Sequence, residues 1–269
     1  MEIDFIDSCL LKFDEMNINW DVRGVIDTNN RVYSLGSDSK IIGRIVELIS
    51  APVLQAVADD HGLIMLPTES QTVYPDFTIM RNKQDTEKIA VDVKSTYRDG
   101  VYLRKTNEYE KGDVKPFNFT LGSFASFLRN GTKNIQFPYS EYKSHYIIGI
   151  VYDRNEDIEQ GMIRSIENSN SIIPPYTNVE YFVQEKYKIS GEKPGSGNTE
   201  NIGSFKANSV EEFQEGNGLF NKYGEDVFEE YWRNYKKYRA NDKNVNYDDF
   251  EGYLEWKTNR GDDLPEPLD

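Results

Sequence analysis

Two short acidic motifs in the first half of the chain could carry out metal-dependent hydrolysis of phosphate esters. Asp76 follows a proline in YPDFT, and Asp92 and Lys94 alternate in VDVKS. Neighbouring carboxylates repel each other, but a hard divalent cation removes that conflict because Mg²⁺ prefers carboxylate oxygens. Such a cation activates water and stabilises a phosphoryl transition state. Lys94 would add positive charge and, with a lowered pKa, could deprotonate or orient the water. We therefore expect Mg²⁺ as cofactor, with Mn²⁺ as a substitute.

Two strands joined by a hairpin must position these residues. Segments 74–80 and 88–96 have strand-like patterns, and the polar stretch RNKQDTE connects them. Side chains alternate along a strand, so Asp92 and Lys94 share one face while the valines beside them point into the core. A hairpin would bring Asp76 beside Asp92. Because such short motifs also arise by chance in acidic chains, their placement on adjacent strands carries the prediction.

Glu47 is a candidate fourth member of this site. It interrupts an apolar segment, SKIIGRIVELIS, that predicts a helix over 39–50. Ser37 or Asp38 would cap this helix, and Pro52 would end it or open a second short helix. The predicted buried stripe consists of Ile41, Ile45, Leu48 and Ile49. Glu47 could reach a metal directly or through water, or it could simply lie on the solvent face of the helix.

The rest of the chain predicts a mixed α/β fold around a central sheet. Residues 145–153 form a continuous apolar run that is typical of a buried central strand, and 179–190 is a further strand candidate. Residues 99–116 and 191–204 have the composition of loops. Residues 225–239 predict a helix, one face of which carries Phe228, Trp232 and Tyr235.

Composition excludes several other classes of site. The single cysteine, Cys9, allows no disulfide within the chain, and the two histidines, His61 and His145, are too few for a histidine-rich zinc site. A phosphate-binding glycine loop is absent, so we expect no organic cofactor. The start of the chain lacks a basic signal region, and no apolar run approaches membrane-spanning length, so we expect a cytoplasmic protein without a membrane partner.

Net charge argues against contact with nucleic acid. The chain has 31 Lys and Arg against 46 Asp and Glu, which gives a net charge of −15. Nucleic-acid binders are usually basic where they touch phosphate. Local charge in a cleft can nevertheless differ from the net charge of the whole surface.

Seven ordered segments resemble one known group of proteins. The paired motifs are the signature of the PD-(D/E)xK nuclease superfamily, and the segments resemble the EcoRV family of type II restriction endonucleases from about Trp20 to Trp256. The segments are LGSDSK (35–40), YPDFT (74–78), IAVDVKSTY (89–97), FTLGSFASFLRNGTKNI (119–135), GSGNT (195–199), NIGS (201–204) and YWRNY (231–235).

The resemblance implies a restriction-endonuclease-like core, with a central mixed β-sheet flanked by helices. It implies a single endonuclease domain over 1–269, whose N-terminal part carries dimerisation and catalytic elements. Residues of about 179–257 would carry a recognition loop and the C-terminal helix. Residues 258–269 are expected to form a flexible acidic tail.

The resemblance also assigns roles to individual residues. Asp76, Asp92 and Lys94 match the catalytic carboxylates and lysine, and Glu47 matches a further active-site acid, so that the three acids would bind the metal. The recognition loop in the major groove would consist of Gly195, Ser196, Gly197, Asn198 and Thr199, although by itself GSGNT would more often be an ordinary surface turn. Gln71 and Thr72 would belong to a minor-groove loop. Candidate phosphate contacts are Ser39, Lys40, Arg129, Lys133, Arg233 and Lys237.

A homodimer that cuts double-stranded DNA at a palindrome is the function that this resemblance implies. The expected site is GATATC, cut bluntly at its centre to leave 5′-phosphates. A catalytically silent DNA-binding module and a structure-specific repair nuclease are the alternatives. The chain departs from the family by an insertion within 99–117, an acidic tail and a more negative charge. Because the core motifs are intact, these departures put affinity and salt dependence in doubt, but not catalysis.

Overall fold

The computed structural model describes residues 4–98, 100–105, 108–155, 158, 160–195, 200–236 and 245–268. The α-helices are α1 (Phe5–Met16), α2 (Ser39–Asp60), α3 (Lys186–Ile189), α4 (Val210–Gln214), α5 (Glu225–Asn234) and α6 (Phe250–Arg260). The strands are β1 (Gly24–Ile26), β2 (Arg31–Ser34), β3 (Ile64–Pro67), β4 (Phe77–Met80), β5 (Lys88–Arg98), β6 (Gly100–Lys105), β7 (Glu108–Val114), β8 (Thr120–Ser123), β9 (Tyr142–Arg154), β10 (Ile163–Ser165), β11 (Tyr176–Glu185), β12 (Ser190–Pro194) and β13 (Asn201–Ser204).

A five-stranded mixed sheet lies at the centre, with the strand order β11-β9-β5-β4-β3. Strands β4 and β5 form the predicted antiparallel hairpin, whereas β5 and β9 run parallel. Strand β9 contains the apolar run 145–153 and has a partner on each side, as expected of a buried central strand. The prediction of a mixed α/β fold with a central sheet flanked by helices is confirmed.

The central sheet separates two apolar cores. Val91 and Val93 face one core, which they share with buried residues of α1 and α2. Ala90 faces the other core, which contains buried residues of β8 and α5. Phe228, Trp232 and Tyr235, which were predicted to share one face of the helix over 225–239, are all buried in this core. This division follows from the alternation of side chains along β5. It leaves Asp92 and Lys94 on the same side as Ala90.

Helix α2 differs from its prediction in length and in the face it buries. It continues through Pro52 to Asp60, and it buries Ile42, Val46, Ser50, Val53, Leu54, Val57 and Ala58. The stripe predicted through Ile41 and Leu48 is wrong, because both side chains are exposed. Pro52 lacks the N–H that would bond the carbonyl of Leu48, yet the helix continues past it. The predicted cap is confirmed, since Asp38 accepts hydrogen bonds from two backbone N–H groups of the first turn.

Helix α2 is also long and apolar enough to cross a membrane by length and composition alone. The expectation that no segment reaches this length is therefore wrong. One such helix is weak evidence, because core helices of globular proteins pass the same test. Seven side chains of α2 are buried, on the face that packs on the sheet and on α1.

Two segments predicted as loops contain antiparallel strand pairs. Strands β6 and β7 pair within 99–116, and β12 and β13 pair within 191–204, on either side of the GSGNT segment. Backbone pairing needs no apolar pattern, so polar composition concealed these strands. The strand predicted over 179–190 ends at Glu185, where α3 begins. The predicted helix over 225–239 ends at Asn234.

Candidate active site

Reciprocal hydrogen bonds fix the two aspartates at the start of the central hairpin. Asp76 directly precedes β4, and its backbone N–H donates to Oδ1 of Asp92 at 3.1 Å. Oδ2 of Asp76 in turn accepts from the backbone N–H of Val93 at 2.9 Å. Each carboxylate is therefore held by the backbone of the opposite strand. The structure brings the two predicted acids together, as the hairpin requires.

Lys94 completes this group from the same face of β5. Its Nζ lies 3.1 Å from Oδ2 of Asp92 and 3.5 Å from Oδ2 of Asp76. Asp92 is buried, whereas the side chains of Asp76 and Lys94 are 17% and 25% exposed, so that the group opens to solvent on one side. A phosphate could therefore approach Asp76 and Lys94 without disturbing the sheet.

The pKa of Lys94 is not lowered, as it would need to be for this lysine to deprotonate water. Burial lowers the pKa of Lys94, but the charges of Asp76 and Asp92 outweigh burial and raise it overall. The lowered lysine pKa that would let Lys94 deprotonate water is therefore not found. Burial and the charge of Asp92 raise the pKa of Asp76, although Lys94 opposes this shift. Lys94 acts in this arrangement as a fixed positive charge.

Glu47 faces the same group from α2. Gly43, one turn earlier, lies where an added Cβ would come within 3.6 Å of Ser95 Oγ on β5. The Glu47 side chain is only 15% exposed and pairs with Arg44. Burial and the charge of Asp76 raise the pKa of Glu47. Glu47 is therefore half-buried rather than on the open solvent face of the helix, and it lies within range of the charge of Asp76.

The oxygen atoms of these acids fit a hard divalent cation. Within the described residues, Oδ1 of Asp76 accepts no hydrogen bond, and Oδ2 of Asp92 is contacted by lysine ammonium groups alone. Carboxylate oxygens that lack neutral donors are the ligands that Mg²⁺ and Ca²⁺ select. A cation at Asp76 and Asp92 would take over charge compensation that Lys94 otherwise supplies.

Lys186 is a buried cation that is not among the predicted site residues. Its Nζ lies 4.0 Å from Oδ2 of Asp92 and donates to the Tyr74 hydroxyl at 2.7 Å. Burial lowers the pKa of Lys186 to about 7, against the opposing charge of Asp92. Tyr74 shares a 2.6 Å hydrogen bond with Nδ1 of His145. The sequence signal was a lysine at the end of a segment predicted as a strand, and it did not indicate burial.

Several candidate DNA contacts lie on the surface in the expected loops and helix ends. Ser39 and Lys40 are exposed in the first turn of α2, and Lys133 is exposed after the helical segment Phe124–Leu128. Gln71 and Thr72 lie in the loop that leads to Asp76. These positions leave their polar groups accessible to a phosphate or a base.

The two arginine candidates are engaged within the chain. Arg129 donates to the carbonyl oxygens of Arg233 and Tyr235, at the C-terminal end of α5. Arg233 donates to the carbonyl of Leu128 and pairs with Glu229 at 3.0 Å. Both side chains therefore satisfy helix-end carbonyls or acids, which is a structural role.

The predicted recognition loop, GSGNT, lies mostly outside the described residues. Residues 196–199 and Lys237 are not described, so that Gly195 is the one described member of GSGNT. A Cβ at Gly195 would come within 2.6 Å of Thr120 Oγ1 and 3.0 Å of its Cα. The absence of a side chain at Gly195 is therefore explained by packing against β8, without any DNA.

Comparison with known proteins identifies the group to which this chain is similar. The family described as "Restriction endonuclease EcoRV" matches residues 16–258. The chain is 40% identical over 245 residues to "Type II restriction enzyme EcoRV" from Escherichia coli, which covers 91% of this chain and 93% of that protein.

Among solved structures, the chain is similar to the "NlaIV restriction endonuclease". The TM-score is 0.31 at 13% identity, over 70% of this chain and 60% of that one. A likeness this weak carries no argument about function. The family match and the identity of 40% do not depend on it. On those two findings, which confirm the resemblance in the sequence, the chain belongs to the EcoRV family of type II restriction endonucleases.

Proposed function

We propose that this type II restriction endonuclease hydrolyses double-stranded DNA with Mg²⁺, at GATATC and with a blunt central cut. Enzymes of this family act on double-stranded DNA and typically use a divalent metal ion. The observation that carries the proposal is the group formed by Asp76, Asp92 and Lys94, in which two backbone-anchored carboxylates and one ammonium meet at an open edge. Asp76, Asp92 and Glu47 would hold the metal.

The chain's own residues would divide the reaction between positioning and charge. Hydrolysis joins the oxygen of water to phosphorus and breaks the bond to the 3′ oxygen, which takes up a proton and leaves a 5′-phosphate on the other fragment. Lys94 would stabilise negative charge that develops on the phosphoryl oxygens. The backbone N–H groups of Asp76 and Val93 keep the two carboxylates oriented. When bound, the metal supplies Lewis acidity and lowers the pKa of water.

A homodimer is the assembly that suits this reaction. A two-fold dimer presents two equivalent sites to a palindrome, so that each protomer would cut one strand. The resemblance to the EcoRV family implies GATATC. The GSGNT segment is compatible with base recognition, because asparagine pairs well with adenine and the segment is joined to two paired strands. The central TA step is easily kinked, which adds specificity at base pairs that no side chain touches.

The test is digestion of a sequenced plasmid with Mg²⁺, followed by mapping of the fragment ends. We expect discrete fragments whose blunt ends fall at the centre of GATATC. Asp92→Asn protein, purified in the same way, controls for contaminating nuclease. Binding without cleavage would instead indicate the silent DNA-binding module. Cleavage at branched or damaged DNA alone would indicate the structure-specific repair nuclease.

Asn198→Ala is expected to reduce discrimination between GATATC and sites with one altered base pair. Loss of a good bidentate base contact costs about 1–3 kcal/mol, or roughly 5- to 150-fold in preference. Non-specific binding should remain, because phosphate contacts supply it. The measurement compares cleavage rates at both kinds of site. Asn208→Ala, at an exposed position after β13, is the matched control. An unchanged preference in Asn198→Ala would mean that this loop does not read bases.

A further inference from the structure

We propose that the protein binds a second divalent cation at His145, Glu225 and Glu229, on the α5 side of the central sheet. A ring nitrogen of His145 and one carboxylate oxygen of each glutamate lie within 4.8 Å of one another. The site uses none of the residues assigned to the reaction. The ligand class is a late transition-metal ion such as Zn²⁺ or Co²⁺.

Helix α5 and strand β9 bring these three groups together. Glu225 and Glu229 are separated by one helical turn and so project from the same face of α5. His145 lies on β9, and one of its ring nitrogens lies within 4.8 Å of a carboxylate oxygen of each glutamate. Arg233 bonds Oε2 of Glu229 at 3.0 Å and holds this carboxylate in place. The three potential ligands thus come from two rigid elements, which favours a defined geometry.

His145 is the residue that distinguishes this cluster from an acidic surface patch. It is 3% exposed, and Nδ1 is engaged with the Tyr74 hydroxyl at 2.6 Å. The hydrogen bond described for His145 uses Nδ1 and not Nε2. A hydrogen bond to one ring nitrogen orients the other toward a metal, and histidine ligands almost always have such a partner. When a metal binds Nε2, the ring proton lies on Nδ1 and can donate to the Tyr74 hydroxyl.

The mixed ligand set decides which ions fit. Imidazole nitrogen favours Zn²⁺ and other late transition metals, whereas Mg²⁺, Ca²⁺ and Mn²⁺ favour oxygen ligands. The aspartates of the candidate active site offer only oxygen. The two sites should therefore differ in selectivity, and excess Mg²⁺ should not empty the site at His145.

The proposed metal site reaches the surface at Glu229, and on its inner side His145 is connected to the candidate active site. The Glu229 side chain is 24% exposed and lines a surface pocket together with Tyr139 and Arg233. On the inner side, His145 contacts Tyr74, which accepts from Lys186 at 2.7 Å. Lys186 in turn lies 4.0 Å from Asp92. An ion at His145 would thus be three contacts from the candidate active site.

The test measures metal binding in a variant whose catalytic carboxylates are neutral. Asp76→Asn/Asp92→Asn protein is titrated with Zn²⁺ by calorimetry in the presence of excess Mg²⁺, and with Co²⁺ by visible absorption. We expect one Zn²⁺ per chain and a Co²⁺ spectrum with a nitrogen ligand. Adding Glu225→Gln or Glu229→Gln should weaken Zn²⁺ binding by about 10- to 100-fold or more, as for the loss of a supporting ligand contact.

Two control variants separate this site from ordinary surface binding. His61→Gln removes the other histidine of the chain, and Glu255→Gln removes an exposed glutamate of α6. Both should leave the Zn²⁺ affinity unchanged. The proposal is overturned by absence of Zn²⁺ binding at a stoichiometry of one, or by equal affinity in Glu229→Gln and Glu255→Gln proteins. Because neither readout involves DNA cleavage, failure here leaves the proposed nuclease function untouched.

Discussion

Asp76→Asn and Asp92→Asn are each expected to reduce DNA cleavage by about 10³-fold or more while leaving the fold intact. Each substitution removes a charged oxygen from the proposed metal ligands, and metal-assisted charge stabilisation contributes several kcal/mol. A loss of about 4 kcal/mol corresponds to roughly 10³-fold in rate. Asparagine keeps the shape of aspartate and an oxygen that can still accept the interstrand hydrogen bond.

The charges around Asp92 decide how its substitution affects stability. Simple relief of repulsion between two carboxylates would predict a gain in stability. Asp92 is instead compensated by Lys94 at 3.1 Å and lies 4.0 Å from Lys186. Neutralising Asp92 removes the carboxylate that compensates Lys94 and the buried Lys186, so that we expect a loss of stability rather than a gain. Asparagine limits that loss because it still accepts from the backbone N–H of Asp76.

The measurement is single-turnover cleavage of a GATATC duplex in Mg²⁺, alongside thermal unfolding of each variant. Asp263→Asn, in the exposed acidic tail, is the matched control and should cleave normally. Near-normal turnover in either active-site variant would show that the metal is held elsewhere. Loss of cleavage together with loss of the folded state would contradict the expected intact fold, and a Glu47→Gln variant would then be the next test of the same site.

Ca²⁺ is expected to tighten binding of a short GATATC duplex by about 10²-fold relative to EDTA. The chain carries a net charge of −15, and Asp76, Asp92 and Glu47 would all face the scissile phosphate. A pair of unit charges at 4 Å contributes about 1 kcal/mol in water and about 4 kcal/mol near a protein surface. We expect Ca²⁺ to remove about 3 kcal/mol of repulsion between these carboxylates and the DNA phosphate. This corresponds to a gain of roughly 10²-fold in affinity for DNA.

The choice of Ca²⁺ separates binding from chemistry. Ca²⁺ accepts the same oxygen ligands as Mg²⁺ but has looser geometry, and it usually supports poor hydrolysis. Affinity can then be measured without cutting the duplex. Ionic strength must be held constant between the two titrations, because phosphate contacts depend strongly on salt. Lys94 contributes one positive charge in either condition and does not account for a difference.

Asp92→Ala should reduce the difference between the DNA affinities measured in Ca²⁺ and in EDTA. Removing one carboxylate weakens repulsion in EDTA and removes a ligand in Ca²⁺, so that the two affinities converge. Asp263→Asn removes one negative charge far along the chain and should leave this difference in DNA affinity unchanged. Equal DNA affinity of the unmodified protein in Ca²⁺ and EDTA would contradict the prediction that Ca²⁺ tightens binding by neutralising the active-site carboxylates. The phosphate contacts would then suffice alone, and the acidic surplus would lie away from the cleft.

The catalytic arrangement could be predicted from sequence because it depends on local geometry. Alternation along a strand places Asp92 and Lys94 on one face, and a hairpin needs only a polar turn to bring Asp76 beside them. The buried strand over 145–153 and the cap at Asp38 follow equally from short patterns. Membership of the EcoRV family followed from motifs whose order and spacing persist along the chain.

Contacts between distant segments were decided only by the tertiary structure. The buried face of α2 depends on which side meets the sheet, and Ile42 and Val46 rather than Ile41 and Leu48 meet it. The same rotation brings Glu47 toward Asp76. Periodicity shows that a helix has an apolar side, but several adjacent stripes were apolar here, and packing selected one.

The buried polar residues show most clearly the difference between what the sequence indicates and what the tertiary structure decides. Lys186, Tyr74 and His145 are far apart in sequence, yet they form one hydrogen-bonded series beside Asp92. No local pattern marks a lysine as buried, because its burial depends on partners that the fold supplies from other strands. The sequence by itself determined which residues could perform the chemistry. The tertiary structure decided which charges surround them, since electrostatic interactions depend on distance through space and not along the chain.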